Sequence, residues 1–243
     1  MSTVLILGAT SDIAQALARK FASEQYALQL AARDPSQLEK LASDLRIRHQ
    51  VEVQTLAFDA TEFDKHAKFY EQLSPSPTVA ISVFGYLGDQ EKGQQDWAEA
   101  AAILHTNFTG AVSILNIVAE DFARKKSGII VGISSVAGDR GRGSNYLYGS
   151  AKAGLTAYLS GLRNRLAPVG VPVITVKPGF VDTSMTEGLN LPPLLTAQPS
   201  AVAKDVFEAV SNKKDVIYTR WFWRWIMLVI TLVPEKIFKK LKL

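Results

Sequence analysis

The sequence predicts an α/β fold, a single doubly wound domain on a parallel seven-stranded sheet with helices on both faces. Three observations predict it. Short runs rich in Val, Ile and Leu recur along the chain, as in parallel strands buried on both faces. Segments of helical period lie between them, the alternation that makes crossover units. The first apolar run breaks directly into a small-residue turn, Gly8-Ala9-Thr10-Ser11-Asp12-Ile13-Ala14, which opens a helix. Right-handed crossovers then force the doubly wound topology, in which ligands bind at the carboxyl ends of the strands.

In chain order, the apolar runs place strands at 3–7, 26–31, 51–57, 78–83, 128–133, 171–176 and 215–219. The helical periods between them fall at 12–24, 35–46, 61–73, 94–123, 146–167 and 199–211. No repeat or low-complexity tract interrupts this rhythm, and the one loop-rich insert lies at 183–198. Residues 1–220 therefore read as one domain, with 221–243 as an aromatic, amphipathic tail rather than a second domain.

Composition narrows the function. With 47% hydrophobic and 21% charged residues the chain has material for a packed core. It holds no cysteine, which excludes disulfides and thiolate chemistry, and its three histidines, 49, 66 and 105, are too scattered to propose a metal site. The N-terminus runs straight into the first strand without a signal-peptide pattern, so a cytoplasmic location is expected. Of the net charge of +4, residues 220–243 carry +5, with six Lys or Arg against one Glu, which leaves the rest at −1. No nucleic-acid motif is present, and none is expected to bind.

The glycine turn is suited to a dinucleotide, because small residues let backbone N–H groups and the positive helix end approach a pyrophosphate. At the end of the second strand stands Arg33, where an acidic residue would bind a ribose 2′-hydroxyl. An arginine pairs with a 2′-phosphate instead, so NADP(H) is expected over NAD(H), which stays possible; a solvent-facing Arg at a helix start is the plainer reading. Asp59 closes the third strand, either as acceptor for an adenine amino group or as a helix N-cap. Tyr148 and Lys152, four residues apart, share one helix face, and a nearby cation favours the phenolate. Ser135 ends the fifth strand thirteen residues before Tyr148, and Asn107 lies in the long helical stretch preceding it.

With these pieces in this order, the chain resembles the short-chain dehydrogenase/reductase family over nearly its whole length. The likeness is carried by the turn at 8–14, Asp59, Asn107-Phe108-Thr109-Gly110, Ile133-Ser134-Ser135-Val136-Ala137-Gly138, Tyr148-Gly149-Ser150-Ala151-Lys152 and Pro178-Gly179-Phe180-Val181-Asp182-Thr183. The resemblance implies a Rossmann-like oxidoreductase in which Tyr148 is the general acid of reduction. Lys152 would lower its pKa and hold the nicotinamide ribose, Ser135 would bind the substrate oxygen, and Asn107 would hold a relay water. It implies cofactor contacts at Gly8, Thr10, Ser11, Asp12, Ile13, Arg33, Asp59, Gly85, Tyr148, Lys152, Pro178, Gly179, Val181 and Thr183, and a homodimer or homotetramer. Two departures stand out. Asp12 and Ala14 occupy positions where the family usually has Gly, so a carboxylate opposes the phosphates unless Asp12 turns away to cap the helix. Ser82-Val83-Phe84-Gly85 replaces an Asn-Asn-Ala-Gly segment, keeping only its last glycine.

Within the family, the segments Phe84–Asp89, Gly138–Arg142 leading to Asn145–Tyr148, and the Trp225–Leu241 tail are similar to the branch that reduces a decaprenylphosphoryl 2-keto-pentose. Arg140 and Arg142 would then clamp a lipid phosphate at the cleft mouth, or else are solvated loop arginines. The other expectations are a reductase of fatty-acyl, steroid or other hydrophobic ketones, and a non-catalytic NADP(H) sensor. Residues 221–233 are apolar except for Arg224 and Thr231 but too short to span a bilayer. They read as an interfacial segment for peripheral membrane contact, or as a helix buried against protein.

Overall fold

The computed structural model describes residues 2–188 and 190–241. Its core is the parallel sheet, built from β1 (Thr3–Leu7), β2 (Ala27–Ala32), β3 (Val53–Ala57), β4 (Val79–Ser82), β5 (Ile129–Ile133), β6 (Val173–Pro178) and, after the short pair β7 (Phe180–Val181) and β8 (Thr196–Ala197), β9 (Val216–Thr219). The order across the sheet is β3-β2-β1-β4-β5-β6-β9, every pairing parallel. The chain winds outward in both directions from the β1/β4 boundary, which is the switch point where such sheets open a crevice.

Both faces of the sheet are covered, which is why the strands lack an alternating pattern. On one side α1 (Asp12–Ser23), α2 (Glu39–His49) and, late in the chain, α8 (Pro199–Ser211) bring Leu17, Phe21, Leu45, Val202 and Val206 against Val4, Ile6, Leu28 and Leu30. On the other, α3 (His66–Glu71), α6 (Gly110–Lys125) and α7 (Tyr146–Leu166) pack Tyr70, Ile114, Val118, Leu155 and Leu159 on Leu5, Leu7, Ala80 and Ile130. Fully burying one such aliphatic side chain contributes about 1.5–3 kcal/mol, so two layers of them account for the fold's cohesion.

The helical stretch expected at 94–123 is divided. After α4 (Gln90–Gln95), Asp96 caps α5 (Trp97–Leu104), a five-residue π turn follows at His105–Thr109, and α6 continues from Gly110. The run Trp97–Lys125 has the length and apolarity to cross a membrane, but its inward residues, among them Ile114, Leu115, Val118 and Phe122, lie in the sheet-facing core, which explains its composition. The second helix begins later than expected because Asp34 and Pro35 start a 3₁₀ turn first. The sixth strand also sits later, so that Pro178 is its last residue. The insert at 183–198 contains 3₁₀ turns and β8, while the tail forms α9 (Trp223–Leu232) and α10 (Glu235–Phe238).

Candidate active site

The strand ends β4 and β5, the start of α7 and the π turn meet beside the switch point. A Cβ built on Gly85 would stand 3.0 Å from Asn107 Oδ1 and 3.5 Å from Lys152 Nζ, so three segments remote in sequence converge on one backbone position. Lys152 is almost fully buried, and its ammonium donates to the Ile133 carbonyl at 3.1 Å while standing 5.6 Å from the centroid of the Tyr148 ring. Ser135, extended at the end of β5, accepts from the Ala137 N–H at 3.1 Å and caps a short 3₁₀ turn. Sequence reasoning missed Ser134, whose hydroxyl donates to the Lys152 carbonyl at 3.0 Å and meets Thr156 Oγ1 at 2.7 Å, tying β5 to α7. Two adjacent serines at a strand end, one on each side of the pleat, were the signal for it.

Burial governs the titration of the pair. Desolvation pushes the Tyr148 phenol up to about 12, offset only in part by a hydrogen bond with Ser135. It lowers the Lys152 ammonium to about 8. The ammonium stands 5.6 Å from the ring centroid, and removal from water is the dominant effect on the phenol. Asn107 is also more constrained than expected. Its Nδ2 donates to the carbonyls of Tyr86 (2.6 Å) and Ile103 (2.8 Å), and its Oδ1 accepts from the Tyr86 N–H at 3.2 Å, so its side chain is wholly engaged with backbone. Glu99, also unforeseen, braces this segment by accepting from the Tyr86 hydroxyl at 2.8 Å and the Asp89 N–H at 3.0 Å.

The opposite side of the crevice has the features of a dinucleotide cradle. Gly8 has φ +87°, and a Cβ there would lie 2.6 Å from the Phe84 backbone nitrogen, so only glycine permits the turn. Thr10 and Ser11 lead into α1, which Asp12 and Ile13 begin and whose first-turn N–H groups have no partners within the helix. Ser11, not Asp12, is the cap, accepting from the Ala14 N–H at 3.3 Å. Asp12 instead turns away to the 3₁₀ turn Ser184–Thr186, accepting from the Ser184 N–H (2.8 Å) and hydroxyl (2.9 Å). At the far end Arg33, Phe58, Asp59, Lys65 and His66 line a cavity of about 430 Å³. Asp59 Oδ1 accepts from the Thr61 N–H (2.8 Å) and hydroxyl (2.7 Å), a turn contact rather than a helix cap. Burial raises its carboxyl, but the Thr61 hydrogen bonds and the Arg33 charge prevail and hold it below the usual carboxylate range.

Four further cofactor candidates lie at or beyond the end of β6. Pro178 and Val181 are buried, with Val181 packed in the core, and Thr183 forms a capping box with Thr186. Gly179 also leaves room for the tail, since a Cβ there would fall 2.0 Å from the Trp223 indole of α9.

Arg140 is likewise directed to the tail. Its Nη1 donates to the carbonyls of Ile230 (3.1 Å), Thr231 (2.9 Å) and Val233 (2.7 Å), its Nη2 to Glu235 (2.8 Å), and its guanidinium stacks on Phe238 at 3.9 Å. It satisfies the last carbonyls of α9, which corrects the expectation of a phosphate clamp at this residue. Arg142 also turns toward the tail: its Nη2 faces Met227 Sδ at 3.6 Å, its Nε is buried without a partner among the described residues, and desolvation lowers its pKa. The nearby Asp139 is already held by Lys177 (2.5 Å) and Tyr218 (2.9 Å). That buried network was legible only as one lysine inside the apolar run Val173–Pro178.

A sheet wound in this order, with a phosphate-sized turn at β1 and a Ser, Tyr and Lys gathered across the switch point, defines a dinucleotide-binding α/β oxidoreductase class. The chain belongs to the short chain dehydrogenase family, whose pattern it matches over residues 2–193. It is 38% identical over 242 residues to an uncharacterized oxidoreductase of Mycobacterium tuberculosis, covering 98% of this chain and 96% of that one. To an uncharacterized oxidoreductase of Streptomyces coelicolor it is 32% identical over 243 residues, 98% and 95% of the two chains. Among solved structures, a short-chain dehydrogenase from Sphingobium yanoikuyae in complex with NADPH superposes with a TM-score of 0.83 at 24% identity over 97% of both chains. A bulky-bulky ketone specific alcohol dehydrogenase from Comamonas testosteroni gives 0.80 at 24% identity, over 97% of this chain and 96% of that one.

Proposed function

We propose that this oxidoreductase transfers hydride between NADP(H) and a carbonyl or secondary alcohol, with Asn107, Ser135, Tyr148 and Lys152 as its working residues. The observation that carries this is the convergence of Asn107 Oδ1 and Lys152 Nζ on Gly85, beside the Tyr148 ring and the end of β5. A non-catalytic sensor of the dinucleotide has no chemical use for that grouping.

The residues present fit the cofactor. Gly8 keeps the turn at β1 free of a Cβ, the first turn of α1 offers N–H groups to a pyrophosphate, and Arg33 faces the cavity that Asp59 shares, where a 2′-phosphate finds a cation. NADPH is also the nucleotide in the Sphingobium structure. When bound, it supplies the hydride. Lys152 would hold the nicotinamide ribose, and Thr183 and the main chain at 178–181 would border the nicotinamide end. Ser135 hydrogen-bonds the substrate carbonyl oxygen, and Tyr148 gives that oxygen its proton as negative charge develops there, so both donors are in place before the charge appears. A phenol held near 12 stays protonated across the neutral range, which suits reduction. Because the Asn107 side chain is engaged with backbone, a relay water at this residue would have to be held by main chain of the π turn that carries it.

For the particular substrate we propose a lipid-linked keto-sugar phosphate, on a protein at the cytoplasmic face of a membrane. What supports it is Arg142, a guanidinium with an unpartnered Nε on the loop between Ser135 and Tyr148. A second reading is a bulky hydrophobic ketone, bulky ketones being the substrate class in the name of the Comamonas testosteroni alcohol dehydrogenase that shares this fold. A homodimer or homotetramer belongs to both readings.

The test is NADPH oxidation by the purified protein against lipid-linked keto-sugars, acyl ketones and simple ketones, repeated with NADH. Tyr148→Phe should lower turnover by more than about a hundredfold while NADPH binding persists. Undiminished turnover in that variant would remove Tyr148 as the acid. Arg142→Ala should weaken phosphorylated substrates selectively, and equal losses on neutral ketones would exclude the anion contact.

A further inference from the structure

The helix α9 has two apolar faces, and the protein covers only one. Trp223, Met227 and Ile230, spaced at i, i+4 and i+7, dock on Val136, Phe180 and Leu195. On the opposite side Trp225, Leu228, Val229 and Leu232, at i, i+3, i+4 and i+7, are 57%, 47%, 65% and 72% exposed. At 3.6 residues per turn these four make one continuous stripe rather than scattered exposures. Trp221 before the helix, and Ile237 and Leu241 around α10, are further exposed apolar residues of the same tail. An ordinary surface helix puts polar residues on this side, so a contiguous apolar stripe marks a contact surface.

The charges around it identify the occupant. Arg224, Lys236, Lys239 and Lys240 are exposed beside these residues, and the segment's one acid, Glu235, is paired with Arg140. A second copy meeting this face about a twofold axis would bring the same cationic rim against itself. An anionic lipid surface complements the rim and accepts the stripe at once. The helix has ten residues, about 15 Å, half the hydrocarbon thickness, so it lies in the interface plane and does not cross it.

Deepening the peripheral, lipid-linked reading above, we propose that the solvent side of α9, with Trp221, Ile237 and Leu241, is an anionic-lipid docking surface that seats the loop bearing Ser135 at the headgroup layer. The link to that loop is Arg140, whose guanidinium joins it to the last carbonyls of α9 and to Glu235. A membrane-borne substrate would thus meet the cleft from the side on which the tail is fixed.

The experiment is flotation of the full chain with vesicles of phosphatidylcholine alone or mixed with phosphatidylglycerol, for the wild type and for Trp225→Ser/Leu228→Ser/Leu232→Ser. These three side chains face solvent, so NADPH-dependent reduction of a soluble ketone should be unchanged in the variant. The wild type should partition to the phosphatidylglycerol vesicles at least about tenfold better than the variant, and high salt should weaken it. Equal partitioning of the two proteins, or equal binding to phosphatidylcholine alone, overturns the proposal. So does a wild-type assembly that the triple substitution dissociates without any vesicle binding, which would assign the stripe to a second copy. Vesicle binding without turnover on any ketone would leave the docking surface standing and refute the redox reading instead, whereas turnover without vesicle binding would do the reverse.

Discussion

At the residue scale, the cleft is organised by a lysine taken out of water beside a partly buried tyrosine. The sign of that effect on stability can be worked out for each. Lys152 titrates near 8 in the folded protein against 10.5 ordinarily, so between those values the unfolded chain binds a proton that the folded chain has shed. Stability therefore rises with pH through this window, by up to about 3 kcal/mol for a shift of this size. Tyr148 acts oppositely: its folded value of about 12 exceeds the ordinary 10.0, so stability falls as pH climbs from 10 to 12. The urea midpoint of the wild type should increase from pH 8 to pH 10, and Lys152→Met should lack that increase. A parallel rise in both proteins would mean the ammonium is not desolvated. The four proposed working residues were named from the sequence through the motifs that resemble the family, with topology placing only Ser135 at a strand end. The pKa balance between two of them was not legible there, since spacing on a helix says nothing of how much water either side chain retains.

At the element scale, the segment between β6 and α8 is held in two places that periodicity does not reveal. Asp12 carries the 3₁₀ turn Ser184–Thr186 across the mouth of the crevice, and Met185 of that turn would lie 3.8 Å from a Cβ on Gly85. Asp12→Ala removes the acceptor for the Ser184 N–H and hydroxyl, so the turn should loosen. KM for NADPH should rise several-fold with a smaller effect on kcat, because a positioning contact rather than a reacting group is lost. An unchanged KM in steady-state assays would show that the turn does not cover the nucleotide. Farther along, Gly179 admits the Trp223 indole into a space with no room for one methyl group. Gly179→Ala should displace α9 and lower the midpoint of thermal unfolding, with a red shift of tryptophan emission; preserved emission would mean that the indole stays in place. The seven strands could be read from their apolar runs with end errors of a few residues. The division of 94–123 into α5, a π turn and α6 could not, since apolar composition runs through all three and does not mark where the hydrogen-bond ladder widens.

At the scale of the whole molecule, the tail is a structural part of the catalytic domain as well as an outward surface. It covers Val136 next to Ser135, and its carbonyls hold Arg140 on the loop that leads to Tyr148. Truncation after Arg220 should therefore destabilise the protein and reduce turnover even on a soluble ketone. The loss of the buried Trp223 by itself costs about 3–5 kcal/mol. A truncated chain with wild-type melting and turnover would show the tail to be dispensable. The sequence taken alone determined the fold class and the strand sequence, because these follow from local hydrophobic periodicity and from the fixed handedness of crossovers, while the proposed cofactor turn and working residues came from the resemblance of ordered motifs to a family. Only the tertiary structure decided which partner each polar group takes. It assigned Arg140 to α9, Asp12 to Ser184, the Asn107 side chain to the Tyr86 backbone and one face of α9 to the core. Hydrogen-bond and packing partners depend on which remote segments are brought within a few ångströms, and a linear pattern does not encode that distance.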